Sequence, residues 1–324
     1  TDAVANQMAN VKGFTLTGPD VKAEGSGQVA LDETSASNLK YRVEAINIQG
    51  LAKLAGQQGI DGSATVEGTI SGNRASLQTT GTLDGSNLSY NDNNALDLNS
   101  TYTVTVPDLE FARARVEAKT EGSFIKAAGL EITELTATTT YHEKTLEFVT
   151  NIKEKTRELD ARGSVILHPD HQEIHLPELA LRTEGVEWRI TPGAEAVVQY
   201  GQDRVRLQNV NLVSNDQALS VEGEISLKET NPEAALKVTA QNVDLQQLET
   251  LLLQNRGLTG RLSANATITG TTQQPMVDGH VEIHNGGFQS YKYESFVADV
   301  DYAARRAGID ATLQQSPTER ITVR

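Results

Sequence analysis

Apolar side chains recur at every second position along almost the whole chain, and this period is the strongest constraint on what it can fold into. Leu258, Gly260, Leu262, Ala264, Ala266 and Ile268 alternate with Thr259, Arg261, Ser263, Asn265, Thr267 and Thr269. The same phase runs through Val277, Gly279, Val281 and Ile283, through Phe296, Ala298, Val300 and Tyr302, and through Leu219, Val221, Gly223, Ile225 and Leu227. Successive side chains of a strand point to opposite faces, so the pattern predicts sheets with one apolar and one wet face. Thr, Val and Ile fill many of these positions, as a pleated surface favours. Gly18-Pro19-Asp20, Asp84-Gly85, Asn91-Asp92-Asn93-Asn94 and Thr191-Pro192-Gly193 read as chain reversals. His284-Asn285-Gly286-Gly287 reads as a hairpin, because Asn and Gly accept positive φ cheaply.

Two stretches change period. Asp244 is placed to cap a helix carrying Leu245, Leu248, Leu251 and Leu252 on one side and ended by Gly257. Ile48, Leu51 and Leu54, followed by Gly59, form a shorter version. Laid over each other, these helices bring their flanks into register. Gly59-Ile60-Asp61-Gly62 falls on Gly257-Leu258-Thr259-Gly260, and Thr69-Ile70-Ser71-Gly72 on Thr267-Ile268-Thr269-Gly270. Further on, Asn87 falls on Asn285 and Tyr90 on Phe288. Alternating strands reproduce a period by chance, but not a helix and its glycines together, so the chain is expected to contain a long repeat. The expected division is the end of one repeat over 1–42, a full repeat over 43–237 and the start of the next over 238–324. With Thr1 at the front and Arg320–Arg324 looking like a strand stopped short, the chain reads as an excerpt of a longer protein.

With 28 Lys+Arg against 43 Asp+Glu the net charge is −15, the wrong sign for long-range attraction to nucleic acid or for a polybasic membrane anchor. No apolar run exceeds three residues, so no transmembrane segment or signal peptide is expected in it. The absence of cysteine excludes disulfides and thiolate chemistry.

An amphipathic sheet must hide its apolar face. A second sheet does this in a sandwich, and a barrel or solenoid does it by closure or stacking. The inward candidates here are Val, Ile, Leu, Ala and Gly, and only 5% of the chain is aromatic, which leaves little to fill a thick core. A sheet curled into an open trough instead presents a lining for something else to cover, and an acyl chain suits it. From the residues alone all of these remain open.

Leu258-Thr259-Gly260-Arg261-Leu262, Ile268-Thr269-Gly270-Thr271-Thr272 and Pro275-Met276-Val277-Asp278-Gly279 resemble the recurring unit of the AsmA-like proteins, and among them most the TamB family. Val281-Glu282-Ile283 through Gly286-Gly287-Phe288, Phe296–Tyr302 and Ile309–Leu313 continue the likeness. It is sharp over Val238–Arg324 and looser in the first copy, where Pro275 has no counterpart and Arg74-Ala75-Ser76 intervenes. The resemblance implies an all-β fold, an elongated curled sheet forming an open apolar groove (a "β-taco"), with the two short helices marking its long repeat. It also implies an inner-membrane-anchored protein that crosses the periplasm and serves phospholipid passage to the outer membrane. The implied ligand is the phospholipid acyl chain. An outer-membrane barrel partner is linked to such proteins, through a segment not expected in this stretch.

On this reading the groove is lined by Val221, Ile225, Leu262, Ile268, Val277, Val281, Ile283, Phe296 and Val300, with Val29, Val66, Ile70 and Leu83 in the first copy. A scaffold that adds incoming strands to a free edge during barrel assembly is the alternative. A surface adhesin of β-solenoid type would repeat every 20–30 residues or so, far below the spacing found. No catalytic, cofactor or metal residues are expected. His168, His171 and His175 lie close in sequence, but Pro169 breaks any helix that would gather them, so a solvated hairpin tip is expected. His280, Glu282 and His284 share one strand face and make the better metal geometry, though a wet outer face explains them equally. Gly25-Ser26-Gly27-Gln28-Val29-Ala30 fits a loose dinucleotide fingerprint but lacks the helix that motif needs. Asn91–Asn94 with Asp97 lacks the closing Glu of a calcium loop.

Overall fold

A computed structural model describes residues 8–324 apart from 55, 57, 128, 184, 229, 230, 232, 233, 253 and 255. The chain is all-β and antiparallel, with two short α-helices, and it forms two compact units, Thr1–Leu159 and Asp160–Arg324.

Unit 1 holds β1 (Met8–Thr17), β2 (Val21–Ala30), β3 (Ser37–Ala45), α1 (Ile48–Leu54) and β4 (Ile60–Gly72). There follow β5 (Ser76–Tyr90), β6 (Asn93–Pro107), β7 (Arg115–Ala127), β8 (Leu130–His142) and β9 (Thr145–Glu154). Each strand pairs with the next in sequence, a plain meander.

β10 (Arg157–Leu167) begins at the boundary, and unit 2 continues with β11 (His171–Thr183), β12 (Val186–Ile190), β13 (Ala196–Gly201), β14 (Arg204–Ser214) and β15 (Gln217–Ser226). It ends with β16 (Leu236–Asp244), α2 (Leu245–Leu251), β17 (Leu258–Gly270), β18 (Pro275–Phe288), β19 (Tyr291–Ala303), β20 (Arg306–Ser316) and β21 (Glu319–Val323). Neither sheet closes into a barrel: among the described residues β1 pairs with β2 alone and β21 with β20 alone.

Three expected reversals are not reversals. Thr191-Pro192-Gly193 interrupts a strand without turning it, because β12 and β13 both pair antiparallel with β11 and with β14. Pro192 cannot donate to a ladder, and the chain loops out there with Ala194 N–H on Thr191 O. Asp84-Gly85 lies inside β5, paired to Leu98 and Asn99. His284-Asn285-Gly286-Gly287 lies inside β18, and the hairpin falls four residues later, between Phe288 and Tyr291. Asn285 does take positive φ (50°), but as a bulge: Arg261 faces His284 and Thr259 faces Gly287, so two residues of β18 oppose Gly260. Gly260 sits at φ 115° with the opposite backbone so close that a Cβ would lie 2.8 Å from the Gly286 Cα.

The helices form where the period predicts. Asn47 Oδ1 accepts from the Gln49 and Gly50 N–H groups, and Asp244 Oδ1 from those of Gln246 and Gln247. α2 stops at Leu251, ahead of Gly257, which instead opens β17 at φ 74°. Several positions matched in the sequence share a backbone conformation. Gly62 (φ 120°) matches Gly260, and Asn87 (50°) matches Asn285. Gly72 (79°) matches Gly270 (82°), and Asn91 N–H bonds Gly59 O as Gln289 N–H bonds Gly257 O.

Candidate functional site

Directly opposed residues of antiparallel strands point to one side, so the ladder pairings trace the faces. In unit 2, Leu262, Ile283, Phe296, Leu313 and Ile321 form one row across β17–β21. Two residues along lies the row Ala264, Val281, Ala298, Ala311 and Val323. Next comes Val238, Ala266, Gly279, Val300 and Ile309, and then Leu236, Ile268, Val277 and Tyr302. Val221 and Ile225 stand on the same side through β15. The nine residues read from the sequence as a lining therefore share one face, and each is half-buried. The register puts the alanines and Gly279 in the two middle rows, among valines and Ile309, while Leu, Phe and Tyr stand on the flanks. Adjacent same-face rows lie about 6.6 Å apart along a strand, so the large flanks stand about 20 Å apart. The opposite face is charged: His280 faces Asp299 at 2.7 Å and Glu282 at 3.1 Å, an arrangement that raises the His280 pKa, with Asp299 the larger cause.

At one end of the apolar face the protein's own side chains form a buried cluster. There α2 lies against β16 and β17. Trp188, Val243, Ala240 and Leu251 are buried together, with Leu262, Ala264 and Leu219 packed against them. Trp188 and Val243 are the largest fully buried side chains. Leu262 thus sits beside a filled core, whereas Val277, Val281, Ile283, Phe296 and Val300 are not part of that cluster.

Unit 1 follows the same rule with a different lining. Val43, Val66 and Leu83 form one row and Leu39, Ile70, Thr79, Val104 and Val116 another, with Val29 on the same side through β2 and β3. All four expected positions again share a face and are half-buried. Between those rows lie Gly25, Tyr41, Gly68, Gly81 and Tyr102. Here the tyrosines lie across the glycines: a Cβ on Gly68 would come within 2.9 Å of the Tyr41 Oη, and one on Gly81 within 2.6 Å of the Tyr102 Oη. The two hydroxyls meet at 2.6 Å, and Tyr41 Oη lies 2.7 Å from Thr79 Oγ1. Burial and the Tyr41 hydroxyl push the Tyr102 pKa up. Toward β9 the face holds Ser100 and Thr120, bonded at 3.0 Å. The hydroxyl cluster is absent from the sequence expectation, although Tyr41 and Tyr102 stand in the apolar phase opposite glycines, which is the signal that marks it.

The chain exposes 20,200 Å². Two compact bodies sharing its 35.0 kDa equally expose about 15,800 Å². The chain thus exposes more surface than two compact bodies of its mass.

A family model described as "TamB, N-terminal domain" matches residues 5–319. The chain belongs to the TamB family. No curated protein and no solved structure matches it. TamB proteins are periplasm-spanning proteins of the cell envelope connected with outer-membrane biogenesis, a non-enzymatic family. No helix among the described residues is long and apolar enough to cross a membrane. The resemblance drawn from the β17–β19 motifs extends over the looser first copy too, since the TamB match covers both units.

Proposed function

We propose that the apolar face of each unit is a trough that shields phospholipid acyl chains during passage between inner and outer membranes. The observation that supports this reading is the half-buried apolar face of β15–β20, with alanines and Gly279 in its two middle rows. Moving a chain of some 15 methylenes through bare water costs roughly 12 kcal/mol, at about 0.8 kcal/mol per group. An apolar floor removes most of that barrier while the headgroup stays in water, so transfer needs no base, nucleophile or metal. The charged face with His280, Glu282 and Asp299 keeps the other side of the sheet wet and unattractive to lipid.

A photo-crosslinking amino acid at Val281, compared with one at the adjacent His280 on the opposite face, tests the assignment. Phospholipid is expected on the Val281 probe and not on the His280 probe. Equal labelling of both positions, or none at either, overturns it. Labelling of nascent outer-membrane barrel proteins along a strand edge, without lipid at Val281, favours the strand-adding scaffold instead.

A further inference from the structure

On the wet side of unit 2, away from the apolar face, three histidines and a glutamate converge at the tip of the β10–β11 hairpin. His168 opens the turn and its N–H bonds His171 O at 3.0 Å, so Pro169 and Asp170 make a tight reversal that stacks the two imidazoles 4.4 Å apart. Along β11 the period of two then sets His171, Glu173 and His175 on one side. The turn and the strand together achieve what a helix was thought necessary for. The ligand atoms of His168, His171 and Glu173 all lie within 4.8 Å of one another. His280, Glu282 and His284 share one strand face as the sequence indicates, but the only such cluster among the described residues is the one at the hairpin tip.

Two of the rings are also oriented from behind. His171 presents Nδ1 to Asp170 at 3.0 Å and Nε2 to Glu173 at 3.1 Å; His175 presents Nδ1 to Glu195 at 3.3 Å and Nε2 to Glu173 at 3.2 Å. Gln199 Nε2 donates to Glu173 Oε1 at 2.7 Å and holds the carboxylate in place. A carboxylate behind a histidine whose other nitrogen faces a shared point is the outer arrangement that metal-ligating histidines use. The nitrogen-to-oxygen separations around Glu173 run from 3.1 to 3.8 Å, the last from His168. They bracket the edge of about 3.4 Å between ligands of a tetrahedral ion with bonds near 2.1 Å. We infer that His168, His171 and Glu173, with His175 at hand, form a binding site for a divalent transition cation of the zinc type. Imidazole and carboxylate donors suit Zn²⁺, Co²⁺ or Ni²⁺, whereas Ca²⁺ and Mg²⁺ want oxygen alone. The site is moderately sheltered, with Glu173 19% and His175 23% exposed, and it ties the hairpin tip to β13 through Gln199.

The test uses this chain without an oligohistidine tag, stripped with chelator and titrated with Zn²⁺ by calorimetry and with Co²⁺ by visible absorption. One Zn²⁺ per chain and the d–d bands of four-coordinate cobalt are expected. His171→Ala is expected to abolish saturable binding, and Asp170→Asn, which keeps every ligand, to weaken it about 10- to 100-fold. His280→Ala with His284→Ala is expected to leave it intact. Circular dichroism verifies that each variant keeps its strands. Absence of saturable zinc binding overturns the inference, as does binding that survives both His171→Ala and Asp170→Asn.

Discussion

Val281 and Ala298 face each other across β18 and β19 in the same apolar row, yet one is half-buried and the other only 2% exposed. That contrast allows an open trough to be told from a packed core by a pair of matched substitutions. Val281→Asp forfeits most of a valine's burial, about 1–2 kcal/mol when full burial stabilises by about 1.5–3 kcal/mol. On an open face its carboxylate keeps most of its water, so the total expected cost stays within about 2 kcal/mol. Ala298→Asp puts the same carboxylate where water does not reach and no cation waits, and an unpaired buried charge costs roughly 3–5 kcal/mol. Urea unfolding followed by circular dichroism and by the fluorescence of Trp188, the single tryptophan, gives both numbers. If Val281→Asp destabilises the protein as much as Ala298→Asp does, the face is a closed core and the trough reading falls.

His280 is expected to titrate above its ordinary 6.5, because Asp299 first and Glu282 second favour the charged ring. A raised folded pKa means that its contribution to stability is complete below about pH 6.5 and is lost as pH rises through the folded midpoint. Carbon-detected NMR titration of the ring should show this, with Asp299→Asn lowering the midpoint; a midpoint at or below 6.5 refutes it. Glu249, 8% exposed, accepts from the Arg256 and Leu258 N–H groups and so ties α2 to the start of β17. Glu249→Ala is expected to cost about 2–3 kcal/mol in thermal or urea unfolding, and a loss under 0.5 kcal/mol or so would show that water replaces it. Gly286 lies beneath the ring of Tyr293, its ladder partner, and Gly286→Ala is expected to displace that ring and return the Tyr293 pKa, which burial now raises, toward its ordinary 10.0. An unchanged tyrosinate titration by ultraviolet absorption argues against the contact.

What the period of two made legible was phase. It assigned Val29, Val66, Ile70 and Leu83, and the nine positions of the second copy, to single faces, because in a strand the phase of a side chain is its face. What it missed was whatever breaks phase or depends on a partner strand. Asn285-Gly286 carries a hairpin signature in sequence, but positive φ serves a bulge as well as a turn, and only the ladder to Gly260 distinguishes them. Thr191-Pro192-Gly193 looks like a reversal because Pro and Gly mark turns, whereas here they mark a gap between two collinear strands. The histidine cluster was underrated for a related reason. Proximity was sought along a helix, while the turn at Pro169 and the alternation of β11 supply it. Ala298 and Ala311 were invisible as floor residues, since their burial comes from the larger side chains of neighbouring strands.

The repeated bulge explains why the same face is filled in one place and uncovered in another. Gly62 opposite Asn87 in unit 1, and Gly260 opposite Asn285 in unit 2, each sit at the end of the strand that follows a helix. A bulge bends its strand and steepens the local twist. In unit 2 that bend comes beside the place where α2 packs on β16 and β17 over Val243 and Ala240, and in unit 1 α1 packs on β4. A seven-residue helix is too short to be stable alone, so it exists only by covering apolar sheet surface there. Past Ala264, which still packs against that core, the alternation continues through Ala266 to Ile268, with no further helix to cover it among the described residues. The bulge at Gly260 therefore stands beside the covered end of the face, and the stretch without such cover begins past Ala264.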